Sequence, residues 1–584
     1  MEDKRNIIIA TLLAALILFG WPTVTEYFFP ELAAPPAVSA PATAGATAPT
    51  AGAPAPAGTA PAVASTASTR AVTVATALQS GPRVAIETPK LRGSINLAGA
   101  RIDDLVLVNY RQTIERDAPP VRLMAPGGTA QAYFAGVGWT GAGLSAPTAD
   151  TLWTAPAGAR LTPTTPVTLT HDNGAGQVFT ITMSVDADYM FTVRQSVTNG
   201  GTAPVGVKPY SYLTRIGTSP DPDSWTINTG AMGVFNDTAQ WFNTDEIDEA
   251  VATATCAAGA LCQNSRGGWI GFTDHFWLGA IIPAQDRPIV SSVRRGAGGL
   301  YQADFAGAEA IIAPNSTSQL TTRFFAGAKE TALLDRYADA GVSLFDRATD
   351  WGWFGFIAKP IFYGLDWLFR MLNNFGFAIM ALTLIIRLIM YPIAQKQFTS
   401  MAQMRVLQPK VKTLQERYAD DKPRLQQEMM ALYKTEKVNP LAGCLPILIQ
   451  IPIFYALYKC LMLTVEMRHQ PFIGWVRDLS APDPASLITL FAQWDIAIPA
   501  FLGIGVMAVL LGITMYLQFK LNPPPTDPVQ QQVFALMPWM LMFVMAPFAA
   551  GLLLYWITNN ILTIAQQRLL YSRFPEMKQA MAAK

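Results

Sequence analysis

Residues 375–394 read FGFAIMALTLIIRLIMYPIA, and this stretch decides the fold class of the chain. At a rise of about 1.5 Å per residue, a helix of this length spans about 30 Å, the thickness of the hydrocarbon core of a membrane. Its only charged residue is Arg387. The stretch therefore predicts an integral membrane protein that carries a charge inside a transmembrane helix.

Three further apolar runs predict more spans. Residues 443–463 and 496–519 are each long enough to cross once. Residues 533–571 are too long for one span, and Pro547 with Gly551 supplies a break, so two antiparallel helices are expected there.

An N-terminal span over residues 1–30 brings the predicted total to six transmembrane helices. Lys4 and Arg5 precede its apolar run, as they would in an anchor or in a cleavable signal. An uncleaved anchor is favoured, although Val38-Ser39-Ala40 offers a candidate cleavage site.

The distribution of basic residues predicts the orientation. Residues 396–437 carry about nine Lys and Arg, whereas residues 464–495 carry only Arg468 and Arg477. Loops rich in Lys and Arg stay in the cytoplasm. Both termini, including the short basic tail 572–584, are then cytoplasmic, and the segment after the first span lies outside.

That outside segment predicts a large all-β sandwich. Residues 31–69 are almost wholly Ala, Pro, Thr, Gly and Ser and are typical of a flexible linker. Residues 70–345 contain short alternating runs such as 101–108 and 178–183, separated by Gly, Pro and Asn. Strands at this spacing are typical of an antiparallel sandwich.

Two more helical segments are expected around the spans. Residues 350–372 place apolar side chains at steps of three and four, which predicts an amphipathic helix in the membrane interface, with a core helix of the β-domain as the alternative. Residues 396–438 predict a cytoplasmic helical hairpin. The hairpin interrupts a predicted five-helix core over residues 373–571.

Composition and motifs exclude several classes of function. The 584 residues carry a formal net charge of +1, so global charge gives no argument for a DNA partner. The chain has no nucleotide-binding P-loop, no H-E-x-x-H metal motif and no G-x-S-x-G elbow. None of the three histidines lies in a predicted span. We therefore expect that the chain is not an enzyme and that it binds no cofactor, no metal and no nucleotide.

The four cysteines give limited information. Cys444 and Cys460 lie too far apart on one helix to bridge each other, so we expect them to be packing residues. Cys256 and Cys262 lie in the outside domain, where a disulfide persists, but spacing alone leaves their pairing open.

Polar residues in the spans gather in the inner half of the membrane. Thr383 lies one turn before Arg387, and Gln450 lies at a similar depth, roughly 10 Å from the inner surface. Asn559 and Asn560 lie about 16 Å deep in the last span. Around a charge without an acidic partner in the spans, they predict a water-filled cavity open to the cytoplasm.

Simpler explanations of the polar residues in the spans stay open, and so do two functions of a cavity. In one alternative, the side chain of Arg387 extends to the inner membrane surface. In another, the polar side chains only hold neighbouring helices together. A cavity with this charge suits a small-anion transporter with Arg387 as its binding site, or an entry site for a polypeptide. Transporters usually show inverted repeats, and none stands out here, which favours the polypeptide.

Several runs of sequence closely resemble the YidC/Oxa/Alb insertase family over about residues 351–574. They are RLIMYPI (387–393), QMRVLQPK (403–410), QEMMALYK (427–434), KVNPLAGC (437–444), QIPIF (450–454) and TDP (526–528). A large domain after an N-terminal anchor is similar to the Gram-negative form of the family, with a periplasmic domain.

The resemblance implies a membrane protein insertase and chaperone of the inner membrane that works without ATP, alone or with the Sec translocon. Its groove would be open to cytoplasm and lipid, with Arg387 attracting the acidic tail of a client. Other residues would line the wall: Thr383, Gln450, Tyr555, Asn559 and Asn560. Implied partners are nascent membrane proteins, the ribosome at the hairpin, Sec translocon subunits and membrane lipids.

The resemblance also implies that the β-domain is similar to a sugar-epimerase supersandwich. Carbohydrate binding or a residual enzyme would be a second hypothesis. Such an enzyme would need a histidine paired with a carboxylate, and only His171 and His275 are candidates. Docking of translocon subunits is favoured instead.

Overall fold

The computed structural model describes residues 72–217, 219, 228–253, 256–352, 354–418, 421–436, 445–486, 504–521 and 528–571. The predicted anchor, linker and basic tail lie outside the described residues, as do Cys444 and the first part of the predicted span 496–519.

The segment predicted to be all-β forms two sheets, which confirms the large β-domain. The strands are β1 (Arg83–Glu87), β2 (Leu91–Asn96), β3 (Arg101–Arg111), β4 (Pro120–Met124), β5 (Tyr133–Thr140), β6 (Arg160–Leu161), β7 (Val167–Asp172), β8 (Gln177–Val185), β9 (Met190–Asn199), β10 (Val205–Ile216), β11 (Gly230–Phe235), β12 (Thr238–Phe242), β13 (Ala260–Arg266), β14 (Trp269–Thr273), β15 (Trp277–Ile282), β16 (Pro288–Arg295), β17 (Leu300–Ala306), β18 (Ala310–Ile312) and β19 (Ser316–Ala328).

The larger sheet has eleven strands in the order β13-β16-β17-β10-β5-β3-β2-β1-β6, with β18 beside β10 and β4 beside β3. The smaller sheet has eight strands in the order β12-β11-β14-β15-β19-β9-β8-β7. Neighbouring strands run antiparallel, apart from β1 and β6, which pair in parallel.

Alternation of apolar and polar residues explains how the sheets pack. In β8, Phe179, Ile181 and Met183 are buried while the residues between them are more exposed, because successive side chains point to opposite faces of a strand. Side chains from both sheets, such as Leu213 of β10 and Leu278 of β15, belong to one apolar core. The two sheets therefore form a sandwich.

Short helices and a disulfide complete the β-domain. The helices are α1 (Val74–Leu78), α2 (Thr244–Asp248) and α3 (Thr331–Asp339), and two 3-10 turns cover Ala297–Gly299 and Phe345–Ala348. Cys256 and Cys262, whose pairing the sequence left open, form a disulfide with sulfur atoms 2.07 Å apart.

The C-terminal part is helical, as predicted. Its helices are α4 (Gly355–Leu372), α5 (Phe375–Ile389), α6 (Tyr391–Arg417), α7 (Lys422–Thr435), α8 (Leu445–Leu463), α9 (Val506–Leu521), α10 (Pro528–Met545) and α11 (Ala550–Tyr571), with a 3-10 turn at Val465–Met467. Buried side chains of α4, α5, α8, α9, α10 and α11 share a second apolar core.

Helix α4 has one buried and one exposed face. Leu365 and Leu368 are buried and belong to the core of the helical part, whereas Phe356 and Met371 are 74% and 63% exposed. The helix packs among the other helices, so the alternative that it is a core helix of the β-domain is wrong.

Proline explains two helix boundaries. The predicted span 375–394 ends as a helix at Ile389, because Pro392 lies in the first turn of α6, where its missing N–H costs nothing. The long apolar run after residue 533 is broken between Met545 and Ala550, around Pro547.

Two contacts stabilise the hairpin of α6 and α7. Asp421 caps α7 by accepting a hydrogen bond from the Arg424 N–H. Lys410 forms a salt bridge of 2.6 Å with Glu436 across the hairpin.

Within the described residues, no helix is both long enough and apolar enough to traverse a membrane.

Phe345 gives a test of the β-sandwich core. It is fully buried, and its ring lies 5.3 Å from Trp269 and 5.2 Å from Phe325. Phe345→Ala is expected to lower the free energy of unfolding of the β-domain by about 3–5 kcal/mol, because it leaves a cavity among aromatic rings. Pulse proteolysis of the detergent-solubilised full chain in urea measures this loss.

The control is Ile311→Ala, since Ile311 is 80% exposed. It should change the unfolding free energy by less than about 0.5 kcal/mol. Equal effects of the two substitutions would contradict the assigned core.

Candidate functional site

Three helices bring polar side chains together around Arg387. Helix α5 carries Thr383 and Arg387 one turn apart, so both side chains project from one face. Helix α11 carries Tyr555 and Asn559 at the same spacing, and α8 carries Gln450. The helical period thus determines which side chains of α5 and α11 meet in the site.

The guanidinium of Arg387 is held by neutral oxygen atoms. Its Nε and Nη2 donate to the Oδ1 of Asn559 at 2.9 and 2.7 Å, and Nη2 also donates to the Oγ1 of Thr563 at 2.6 Å. Among the described residues, no acidic side chain forms a salt bridge with it. The described hydrogen-bond partners of Arg387 are therefore neutral dipoles, which orient its positive charge.

A second pair of polar side chains lies beside the first. The side-chain amide of Gln450 donates a hydrogen bond to the hydroxyl of Tyr555. Thr383 is buried, and its hydroxyl donates to the backbone oxygen of Ile379 at 2.6 Å, within its own helix. Gln450 therefore ties α8 to α11, while Thr383 keeps a hydroxyl oxygen that can accept a further hydrogen bond.

Asn560 occupies a different environment from Asn559. Its side-chain amide donates to the hydroxyl of Thr514 on α9 at 3.2 Å, and the residue is 1% exposed. Successive residues of a helix point about 100° apart, so Asn559 and Asn560 cannot both face Arg387. The structure places Asn560 at a helix–helix contact.

A cavity of about 50 Å³ lies next to the guanidinium. A single water needs about 10–15 Å³ of such space, so the cavity has room for more than one. Its lining residues are Thr383, Ile386, Arg387, Met390, Ile393, Ala394, Gln450, Ile453, Tyr555 and Asn559. Five of the six predicted residues therefore share one cavity, and Asn560 is outside its lining.

The lining favours binding over catalysis. It contains no histidine, cysteine or carboxylate, so it lacks the usual general acids, bases and metal ligands. The donors of Arg387 and Gln450 suit anionic or carbonyl oxygen atoms of a polar ligand.

Thr563 is a member of the site that the sequence analysis missed. It binds Arg387 directly, and its hydroxyl also lies 2.6 Å from the backbone oxygen of Asn559. The sequence contains a pattern that could have identified Thr563, because Tyr555, Asn559 and Thr563 follow one another at four-residue steps on one helix face.

Comparison with known proteins covers nearly the whole chain. The family model described as "60Kd inner membrane protein" matches residues 367–578, and the one described as "YidC periplasmic domain" matches residues 83–364. The chain is 44% identical to "Membrane protein insertase YidC" of Zymomonas mobilis, over 99% of this chain and 98% of that protein. It is 42% identical to the protein of the same name from Rhizobium etli, over 98% of this chain and 96% of the relative.

A solved structure described as an active YidC insertase crystal structure is also similar. It shares 18% sequence identity with a TM-score of 0.35, covering 83% of this chain and 92% of that one. A likeness this weak adds nothing to the two family models and the relatives.

Neighbouring isoleucines test whether the cavity holds water in a membrane. Ile386 lines the cavity, whereas Ile385 is 39% exposed on another face of α5 and does not line it. In a chain whose Cys444 and Cys460 are replaced by Ala, a charged thiol reagent should modify Ile386→Cys at least about tenfold faster than Ile385→Cys. The reason is that the reactive thiolate forms only where water is present.

The labelling rates are measured in native membrane vesicles. Equal rates at the two positions, or faster labelling of Ile385→Cys, would contradict a hydrated cavity beside Arg387.

Proposed function

Because the chain belongs to the YidC family of membrane protein insertases, we propose that it inserts integral membrane proteins into the inner membrane and assists their folding. It does so without ATP, alone or beside the Sec translocon. The observation that carries the proposal is the half-buried Arg387, whose described hydrogen-bond partners are neutral and which borders a polar cavity.

The proposed topology has six transmembrane helices, cytoplasmic termini and a periplasmic β-domain. The distribution of Lys and Arg between the loops supports this orientation. Large apolar side chains exposed on α5 and α10, such as Leu388 at 63% and Leu536 at 63%, support contact with lipid, because soluble proteins rarely expose such surfaces. Residues 373–571 form the insertase core in this proposal.

Arg387 attracts and solvates the polar tail of a client in the proposed mechanism. Moving a charged tail through about 30 Å of hydrocarbon costs many kcal/mol. A hydrated cavity in the inner half of the membrane shortens that path, and an acidic tail also supplies the counter-charge that Arg387 lacks among the described residues. Entry of the apolar client segment into lipid then drives insertion.

The polar wall of the cavity binds the client tail by hydrogen bonds. Gln450, Tyr555 and Asn559 present donors and acceptors to a backbone that has lost its water. Thr383 contributes its hydroxyl oxygen, and Asn560 acts by holding α11 against α9.

The parts outside the membrane receive clients and partners. The hairpin of α6 and α7 accepts the nascent chain at the ribosome, and the β-domain docks translocon subunits. No catalytic reaction is assigned to the chain. His275 lies within hydrogen-bond distance of the backbone oxygen of Met462, which gives it a structural contact with the last turn of α8.

Substitution of Arg387 tests the electrostatic role. In cells depleted of the native protein, Arg387→Ala is expected to slow insertion of a single-span client with a short acidic tail by roughly 10- to 100-fold, the worth of a charged hydrogen bond at about 1.5–3 kcal/mol. Arg387→Lys should retain part of the activity, because it keeps the charge and loses the planar fork. Protease protection of the client tail measures insertion.

Arg370→Ala is the matched control, since Arg370 is 72% exposed and pairs with Asp366 within α4. It should insert the client at the normal rate. A client with an uncharged tail should depend much less on Arg387. Full insertion of the acidic client by Arg387→Ala would overturn the electrostatic role.

A further inference from the structure

The chain that leaves α8 is anchored in the β-domain. Val465 is 1% exposed and belongs to the core of the sandwich. Arg468 donates hydrogen bonds to the backbone oxygens of Arg111 and Gln112 at 2.8 and 3.1 Å. Its guanidinium also lies 5.4 Å from the ring of Trp277. Residues 464–468 and the β-domain residues that they contact are called the junction below.

Glu466 lies at the centre of the junction. Its Oε1 accepts a hydrogen bond of 2.8 Å from the backbone N–H of Thr331, the first residue of α3. Its Oε2 is buried and has no hydrogen-bond partner among the described residues. A buried carboxylate oxygen without a donor costs free energy when it is charged, whereas a protonated carboxyl group avoids most of that cost.

The nearest acidic groups oppose a charge on Glu466. Glu330 already accepts hydrogen bonds from Tyr189 at 2.9 Å and from Lys90 at 2.7 Å. Asp366 approaches from α4 and repels Glu466 as well. The charged or titratable groups that interact with Glu466 from the elements around it are Tyr110, Glu330, Tyr363, Asp366 and Cys460. Arg468 lies two residues further along the same segment.

Burial is the main reason why the pKa of the Glu466 carboxyl rises from 4.5 to about 7, and repulsion by Glu330 and Asp366 adds to it. Hydrogen bonds from the backbone N–H groups of Glu466 itself and of Thr331 lower the pKa, but together they are too weak to cancel the effect of burial.

We infer that Glu466 is a proton-dependent latch, whose neutral carboxyl group holds the end of α8 against the β-domain and whose ionised form loosens that contact. The structure of the junction supports this inference. The side chain of Glu466 contacts the N-terminus of α3 in a buried position that is surrounded by acidic residues.

The direction of the pH dependence follows from linkage. In the latched state the pKa is about 7, whereas an exposed Glu466 titrates near its ordinary 4.5. The latched state binds the proton more tightly, so the latch is strongest below pH 4.5 and weakens as the pH rises to about 7. Well above pH 7, the strength of the latch no longer changes with pH. The equilibrium constant for opening should rise on the order of 100-fold across this range.

Distances between two spin labels test the latch in the full chain in lipid nanodiscs. Ile311→Cys labels the β-domain and Ile473→Cys labels the loop after the junction, since these residues are 80% and 56% exposed. Cys444 is replaced by Ala, and Cys460 is buried. We expect one narrow distance distribution at pH 4.5 and a broader or second population at pH 8.

Two variants separate the latch from a general effect of pH. Glu466→Gln stays neutral and can still accept from Thr331, so its distribution should be the same at both pH values. Asp366→Asn keeps Glu466 and removes one repelling charge, so the pH response should be smaller and complete at a lower pH. An unchanged distribution in the parent chain, or a pH response in Glu466→Gln equal to that of the parent, would overturn the latch.

Discussion

The guanidinium of Arg387, bound to the neutral oxygens of Asn559 and Thr563, is the interaction on which the site depends. A charge in a helix of this apolarity is stable only if water, a dipole or a counter-ion compensates it. Asn559 and Thr563 fix the direction of the guanidinium and supply dipoles, and the adjoining cavity supplies room for water. Together they keep a full positive charge available to a ligand that brings its own negative charge.

The surrounding structure keeps these parts in register. The hydrogen bond from Gln450 to Tyr555 ties α8 to α11, and the contact of Asn560 with Thr514 ties α11 to α9. At its other end, α8 continues into the junction with the β-domain, where Val465 is part of the sandwich core. The helix that carries one wall of the cavity is therefore held at both ends, and the β-domain is mechanically connected to the site.

Much of this arrangement was predictable from local patterns. The alternation of apolar and polar residues located β8, and Pro547 located the break between α10 and α11. The helical period grouped Thr383 with Arg387. The sequence could not tell which of Asn559 and Asn560 faces Arg387, because that depends on the rotation of α11 against its neighbours. Glu466 and Thr331 are 135 positions apart, and no local pattern predicts a contact at that distance.

In the proposed function a polypeptide enters the cavity beside Arg387, whereas a transporter would bind a small anion there. A photo-crosslinking amino acid at position 450, which lines the cavity, tests this with a ribosome-bound nascent chain of a membrane protein. The same amino acid at position 561, on an exposed face of α11 at 52%, serves as the reference. If a polypeptide enters the cavity, the polar tail of the nascent chain crosslinks to position 450 and much less to position 561. Absence of a crosslink at position 450, with the ribosome bound, would contradict it.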